Sequence, residues 1–306
     1  MNTGLKLTHP QISVIIPCFN SAEFVAATIE SALAQTLPAA EILAIDDGST
    51  DNTARVLSSF GNRIKVLRRE NGGPAAARNL GISAAVGEFI AFLDSDDLWE
   101  REKLARQMEE FRTAPEADLI FSEAVMFREE RGEKIPSRRI GYTADPTFRQ
   151  LLYGDFIPNS SVIVRRKCLA TVGLLNETRG LIGAEDYEYW MRIAYRHRLR
   201  GMAEPLVWYR LREGNLMGSG DDIDKGLRLA LAALKSVESL HAGIWEEYGV
   251  DRARLFARLN LRAGHAWKSR GAWRRWLEHN VEAWRQCNQP VVWRWMIAAA
   301  LLRRWS

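Results

Sequence analysis

The feature that most constrains this chain is the alternation, through its first 115 residues, of short apolar runs with segments of helical spacing. The runs at 12–16, 41–45, 63–67 and 88–93 read as strands, whereas 23–35, 74–86 and 99–112 repeat their apolar residues at helical intervals. Pro74 stands where a first helical turn tolerates proline, and Asp47-Gly48-Ser49 supplies a turn with capping residues. Strand and helix in repeated succession predict a parallel sheet covered on both faces, because each crossover lays a helix on the sheet. With 306 residues, 47% hydrophobic and 26% charged, the chain is long and apolar enough to bury such a core. Disorder of the whole is excluded.

From residue 117 the alternation loosens. Strand candidates at 118–127 and 160–164 flank an Arg-rich polar stretch, 128–139, expected to be a mobile loop; a helix is expected at 183–196 and an extended segment containing Pro205 at 201–211. After Asp221 the composition turns helical, with Pro290 dividing the last two helices. The expected division is a mixed domain over 1–220 and a helical, basic, Trp-rich extension over 221–306. Cys18, Cys168 and Cys287 lie far apart without CxxC spacing, which argues against a disulfide framework or a zinc site and suits a reducing compartment. No stretch approaches the roughly 18 uncharged apolar residues of a membrane span, and the N-terminal MNTGLKLTHPQIS has no apolar core of a secretory signal, so a cytoplasmic location is expected.

In open parallel sheets ligands bind beyond the carboxyl ends of the strands. There this sequence is acidic: the second run ends in Asp46-Asp47-Gly48-Ser49 and the fourth in Asp94-Ser95-Asp96-Asp97, while the first ends in Pro17-Cys18-Phe19-Asn20. Either acidic cluster alone is an ordinary set of turn and capping residues. Their recurrence at equivalent strand ends points to a site where a cation offsets the charge, and hard oxygen donors in small number suit Mg²⁺ or Mn²⁺ shared with a phosphate. No G-x-G-x-x-G follows the first run and no Walker A lysine loop is present, which sets aside the dinucleotide and P-loop alternatives.

The motifs SVIIPCFN, EILAIDDGSTDNT, NGGPAAARNLGISAAVGEFIAFLDSDD, AEDYEYW and EPLVWYR, in that order, resemble those of family 2 glycosyltransferases of the GT-A fold. The resemblance implies a Rossmann-like, mostly parallel mixed sheet flanked by helices. It places a nucleotide-sugar-binding part at about 10–115 and an acceptor-side part at about 116–220, and leaves the C-terminal extension outside. It implies that Asp46 accepts a hydrogen bond from the nucleotide base, that Pro17 and Phe19 line the base site, and that Asp94 reaches the ribose. Asp96 is similar to the metal-binding acid of the Asp-x-Asp motif, with Mg²⁺ or Mn²⁺ on the diphosphate of a nucleotide-sugar donor, and the donor class the resemblance implies is a UDP-sugar. Arg78 is either a nucleotide contact or a solvated helix arginine. In Glu185-Asp186 the second acid is implied to be the general base of inverting transfer and Glu185 the reserve, although acids there are also ordinary first-turn residues of a helix.

One departure concerns the metal. Where many relatives carry a His two residues after the Arg of the YR motif, this chain has Arg212, which cannot ligate a cation and is expected either to contact the diphosphate or to lie on the surface. The five histidines show no ligand spacing, and Ser160-Ser161 lacks the surroundings of a nucleophile elbow. A non-catalytic nucleotide-sugar-binding or scaffold protein is the alternative reading; the intact Asp46, Asp94, Asp96 and Asp186 speak against it.

The net charge of +4 hides an asymmetry, because residues 251–306 hold twelve Lys+Arg against three Asp+Glu, a local charge of +9, together with seven of the eleven tryptophans. From Trp273 to Trp284 a stripe of Trp273, Trp276, Leu277, Val281 and Trp284 recurs at helical spacing, and 291–302 is almost wholly apolar with Arg303-Arg304-Trp305 after it. Core packing uses such residues, but the ending also suits an interfacial helix at an anionic inner leaflet. A glycan or lipid-linked acceptor and peripheral membrane contact through the C-terminal helices are therefore expected. No nucleic acid is expected, since the basic residues are not set beside a known recognition fold.

Overall fold

The first strand, β1 (Ile12–Cys18), is buried along its whole length except at Pro17, which explains an unbroken apolar run rather than an alternating one. The computed structural model describes residues 11–141, 143–212, 223–240 and 243–287. After β1 come α1 (Val25–Leu33), β2 (Glu41–Asp46), α2 (Thr53–Ser58), β3 (Lys65–Arg68), α3 (Pro74–Ala84), β4 (Phe89–Phe92), β5 (Leu98–Trp99) and α4 (Lys103–Thr113). The chain continues through β6 (Leu119–Glu130), β7 (Glu133–Ile140), α5 (Phe148–Leu151), β8 (Ile163–Arg165), α6 (Arg166–Val172), α7 (Glu185–Arg196) and β9 (Leu199–Arg210).

These strands form one nine-stranded sheet in the order β3-β2-β1-β4-β8-β6-β9-β5, with β7 paired to β6. The strands β3, β2, β1 and β4 are parallel, with Cys18 opposite Asp46 and Ile15 opposite Phe92. Beyond β4 the sheet turns mixed: β8 runs antiparallel to both β4 and β6, β6 is parallel to β9, and β5 is antiparallel to β9. The mostly parallel mixed sheet flanked by helices is thus found. Reversal of direction at β8 also brings the turn before it, Asn159–Ser161, to the end of β4, where the acids lie.

The stretch 128–139 is not a mobile loop. It is a hairpin in which Arg128 to Glu130 of β6 face Ile135 to Glu133 of β7, closed by Arg131 and Gly132 at φ of 53° and 82°. A two-residue turn with both central residues at positive φ matches the right-handed twist of a hairpin. The apolar alternation of a strand is missing because β7 is almost wholly exposed, and its charges and Pro136 are what an unpaired edge carries. The expected helix at 99 starts later, at Lys103, because Leu98 and Trp99 pair with Trp208 and Val207.

The core packs α3 onto β1 and β2 through a small residue. A Cβ added at Gly81 would stand 2.6 Å from Ile15 Cγ2 and 3.0 Å from Ile45 Cδ1, so helix and sheet approach more closely than any side chain allows.

A second unit, Gly214–Ser306, follows the first, Met1–Glu213. Its described elements are α8 (Ile223–Glu238), α9 (Ile244–Glu247), α10 (Arg252–Ser269) and α11 (Trp273–Gln286). Asp224 of α8 accepts a hydrogen bond from Trp267 Nε1 of α10 at 2.7 Å and lies 2.7 Å from His279 Nε2 of α11, which ties the three helices. The stripe on α11 is divided: Trp276 is buried, Val281 and Trp284 are half-buried, and Trp273 and Leu277 are exposed. The expected boundary near 220, Pro290 and the apolar segment 291–302 lie outside the described residues.

Overpacking the α3 contact is the direct test of this arrangement. Gly81→Leu is expected to cost about 1–3 kcal/mol, read as a lowered urea midpoint with an unchanged slope.

Candidate active site

Three strand exits meet where β1, β2 and β4 end. After β1 the Phe19 ring is 47% exposed. Asn20 adopts a φ of 46° and its side-chain oxygen accepts from the Thr50 N–H at 2.9 Å, while its own N–H donates to Ser49 Oγ at 3.1 Å. The loop after β1 is thereby fastened to the loop after β2. Asp46, 1% exposed at the end of β2, accepts from the Ser49 N–H at 2.9 Å through Oδ1. Its Oδ2 is buried without a hydrogen-bond partner among the described residues and lies 3.4 Å from Arg68 Nε. A buried carboxylate oxygen in that state is a place for a ligand donor. Asp47 differs: both its oxygens accept from backbone N–H groups, of Gly72 at 3.0 Å and Gly73 at 2.8 Å, so it fixes the entry to α3.

Pro17 sits within β1 opposite Ile45, half-buried just below these loops. Arg78 projects from α3 and is 4% exposed, which excludes the solvated reading of this residue. Its Nη2 meets Asp94 Oδ1 at 2.6 Å and its Nη1 meets Glu185 Oε1 at 2.7 Å. Burial pulls its pKa down, but the carboxylates of Asp94, Glu185 and Asp186 outweigh that and hold it above its ordinary value. Three elements distant in sequence are joined through one cation.

The turn 94–97 is held from several sides. Asp94 Oδ1 also accepts from Asn159 Nδ2 at 2.8 Å, and its N–H donates to Ser160 Oγ at 3.0 Å. Asp97 is buried, accepting from Ser160 Oγ at 2.6 Å and from the Arg210 N–H at 2.9 Å; burial, then Asp96 and Asp94, push its carboxyl well above the ordinary range. Asp96 is less enclosed. Its Oδ2 pairs with Arg212 Nε at 2.7 Å, and burial and Asp94 raise its pKa against the opposing pull of Arg212. Arg210, buried, donates through Nε to the Asp96 carbonyl at 2.8 Å and pairs with Glu129.

At the start of α7 the two neighbouring acids separate in role. Glu185 is buried, with one oxygen on Arg78 and the other accepting from the Gly183 N–H at 2.6 Å. Asp186 is half-buried and accepts from the Tyr187 N–H at 2.8 Å. Its carboxyl is pushed well above the ordinary range by burial first, then by Glu185 and Asp155, with Arg78 opposing. Convergence of the acids is registered by Tyr209, whose phenol is raised by burial and then by Asp97, Asp94, Asp96 and Asp186 together.

The structure therefore gathers Arg78, Asp94, Asp96, Asp186 and Arg212 about one crevice, with Asp46 and Phe19 at the strand exits beside it. Sequence reading missed Asn159, Ser160 and Glu129. The polar run Pro158-Asn159-Ser160-Ser161, set just before an apolar strand, was the available signal for the first two.

The description "glycosyl transferase family 2" fits the chain over residues 13–172, more than half its length. The chain belongs to glycosyl transferase family 2. It is 35% identical over 221 residues to an uncharacterized glycosyltransferase of Rickettsia felis, covering 70% of this chain and 35% of that protein, so it spans about a third of that relative's length. Over 104 residues, 33% of this chain and 41% of the other, it is 41% identical to TuaG of Bacillus subtilis, named for a role in teichuronic acid biosynthesis. Its fold resembles that of S. aureus TarS 1–349, solved in complex with UDP-GlcNAc, with a TM-score of 0.57, 20% identity, and coverage of 91% and 92% of the two chains.

Arg78 is the counter-ion of two carboxylates, one of them fully buried. Arg78→Met is expected to destabilise the family 2 domain by about 3–5 kcal/mol, because it leaves a buried charge without its partner. Equilibrium denaturation reads this loss directly, and a change below 1 kcal/mol would refute the arrangement.

Proposed function

We propose that this protein is an inverting glycosyltransferase that moves a sugar from a UDP-sugar donor to a hydroxyl of a glycan or glycolipid acceptor, with Asp186 as general base. The observation that carries the reading is the division of labour between neighbouring acids: Glu185 is committed to Arg78 and the Gly183 N–H, while Asp186, half-buried beside it, retains a carboxyl whose pKa is raised. Asp186 takes the proton of the acceptor hydroxyl as that oxygen forms its bond to the anomeric carbon. The bond from that carbon to the diphosphate breaks on the opposite face, and the configuration inverts. A raised pKa makes the ionised carboxylate a stronger base near neutral pH.

On the donor side, Oδ2 of Asp46, which has no hydrogen-bond partner among the described residues, would accept from the nucleotide base, Phe19 would lie against it, and Asp94 would meet the ribose. TarS structures hold UDP and UDP-GlcNAc, which supports the choice of donor class. The carboxylate of Asp96 is a hard oxygen donor of the kind that holds Mg²⁺ or Mn²⁺ on a diphosphate. Such an ion, when bound, offsets charge developing on the departing diphosphate.

Among the described residues no helix is long and apolar enough to cross a membrane. A peripheral site on the inner face of the cell membrane suits a lipid-linked acceptor, and the second unit supports it through exposed Trp273 and Leu277 flanked by Arg274 and Arg275. Each basic residue near an anionic surface contributes about 1 kcal/mol.

Asp186→Asn is expected to lower turnover at least a thousandfold while UDP affinity stays within threefold of wild type. Turnover within tenfold of wild type would reject the base. The acid limb of the kcat/KM–pH profile is expected above the ordinary aspartate range, activity rising with pH as Asp186 loses its proton. Asp155→Asn removes a like charge and is expected to move that limb to lower pH. Co-sedimentation with vesicles tests the membrane site: binding is expected with anionic lipid, and both 0.5 M salt and the pair Trp273→Ala, Leu277→Ala are expected to weaken it. Equal binding to neutral vesicles would exclude the electrostatic contribution.

A further inference from the structure

Three arginines meet the acids at these strand ends, and they are not equally buried. Arg78 and Arg210 have side chains only 5% and 4% exposed, each pinned by partners on more than one side. Arg210 also lies over two rings, 5.1 Å from the Phe24 centroid and 4.7 Å from that of Phe127. Arg212 has 31% of its side chain in solvent and stands just past the end of β9. It lies 5.3 Å over the Phe24 ring and borders a cavity of about 430 Å³ shared with Arg131 and Arg210. Its Nε is 2.7 Å from Oδ2 of Asp96, the carboxylate proposed above to hold a divalent cation.

A guanidinium remains protonated at any physiological pH and presents donors only, so it competes with a metal ion for this oxygen and cannot join it as a ligand. A diphosphate offers the same guanidinium a stronger, doubly charged acceptor. We infer that Arg212 is a tethered cation that occupies the Asp96 carboxylate in the free protein and transfers to the diphosphate when the nucleotide enters, so that metal and donor bind cooperatively. The inference rests on the nucleotide-sugar reading given above. Arg212 thereby binds the donor directly and also sets when Asp96 becomes available, so by linkage the nucleotide gains what the metal gains.

The same substitution should then act in opposite directions on two ligands. Mn²⁺ binding to the full chain is followed without nucleotide by electron paramagnetic resonance, and UDP binding is followed in EDTA by calorimetry, with circular dichroism confirming the fold of each variant. Arg212→Gln is expected to bind Mn²⁺ at least tenfold more tightly than wild type and to bind metal-free UDP at least fivefold more weakly. Arg212→Lys keeps the charge and is expected to stay within threefold of wild type for both. Mn²⁺ affinity unchanged within twofold in Arg212→Gln overturns the inference, as does unchanged metal-free UDP affinity. Failure of the underlying reading looks different: wild type then binds no UDP with or without Mn²⁺. If UDP binds but no variant takes up Mn²⁺, Asp96 is not a metal ligand and the inference falls with it.

Discussion

Carboxylates crowded at the ends of parallel strands are costly to each other, and the arrangement of this domain follows from how that cost is met. Asp46, Asp47, Asp94, Asp96, Asp97, Glu185 and Asp186 are all at least half-buried. Removing that many like charges from water is unfavourable unless counter-charges or hydrogen bonds accompany them. Arg78 supplies the central counter-charge, and its two salt bridges join α3, the end of β4 and the start of α7. The remaining acids are settled by backbone donors, as with Asp47 at Gly72 and Gly73, or by hydroxyls, as with Asp97 at Ser160.

Much of the fold was legible in the sequence because its central strands are buried on both faces. β1, β2 and β4 read as unbroken apolar runs, and the residues that follow them are polar for the same reason: the chain leaves the core there. The hairpin of β6 and β7 was not legible. Its outer strand packs against nothing, so no apolar alternation marks it, and its charges read equally well as a loop. The late start of α4 has a similar origin, since the two residues that pair with β9 are Leu98 and Trp99, which fit a helix as readily as a strand.

The site was legible at the level of which residues carry charge, and illegible at the level of which charges meet. Arg78 and Glu185 are 107 positions apart, and nothing in the periodicity of α3 indicates that its arginine faces inward. The same holds for Asn159 and Ser160, which reach the acidic turn only because β8 runs antiparallel to β4. Arg212 is instructive in the other direction. As a residue type it excluded a metal ligand at once, yet its contact with Asp96 came from the path of the chain beyond β9, which no local pattern encodes.

The pair Glu185-Asp186 shows how environment divides chemically similar groups. Both carboxyls lie in the first turn of α7, where the helix dipole favours negative charge equally. One is drawn inward, where its two oxygens are taken up by Arg78 and the Gly183 N–H. The other accepts from the Tyr187 N–H, and burial and then the like charge of Glu185 raise its proton affinity. The residue that spends its charge on structure thus raises the proton affinity of its neighbour, and exchanging the two side chains would not exchange these environments, because the positions set the fields they experience.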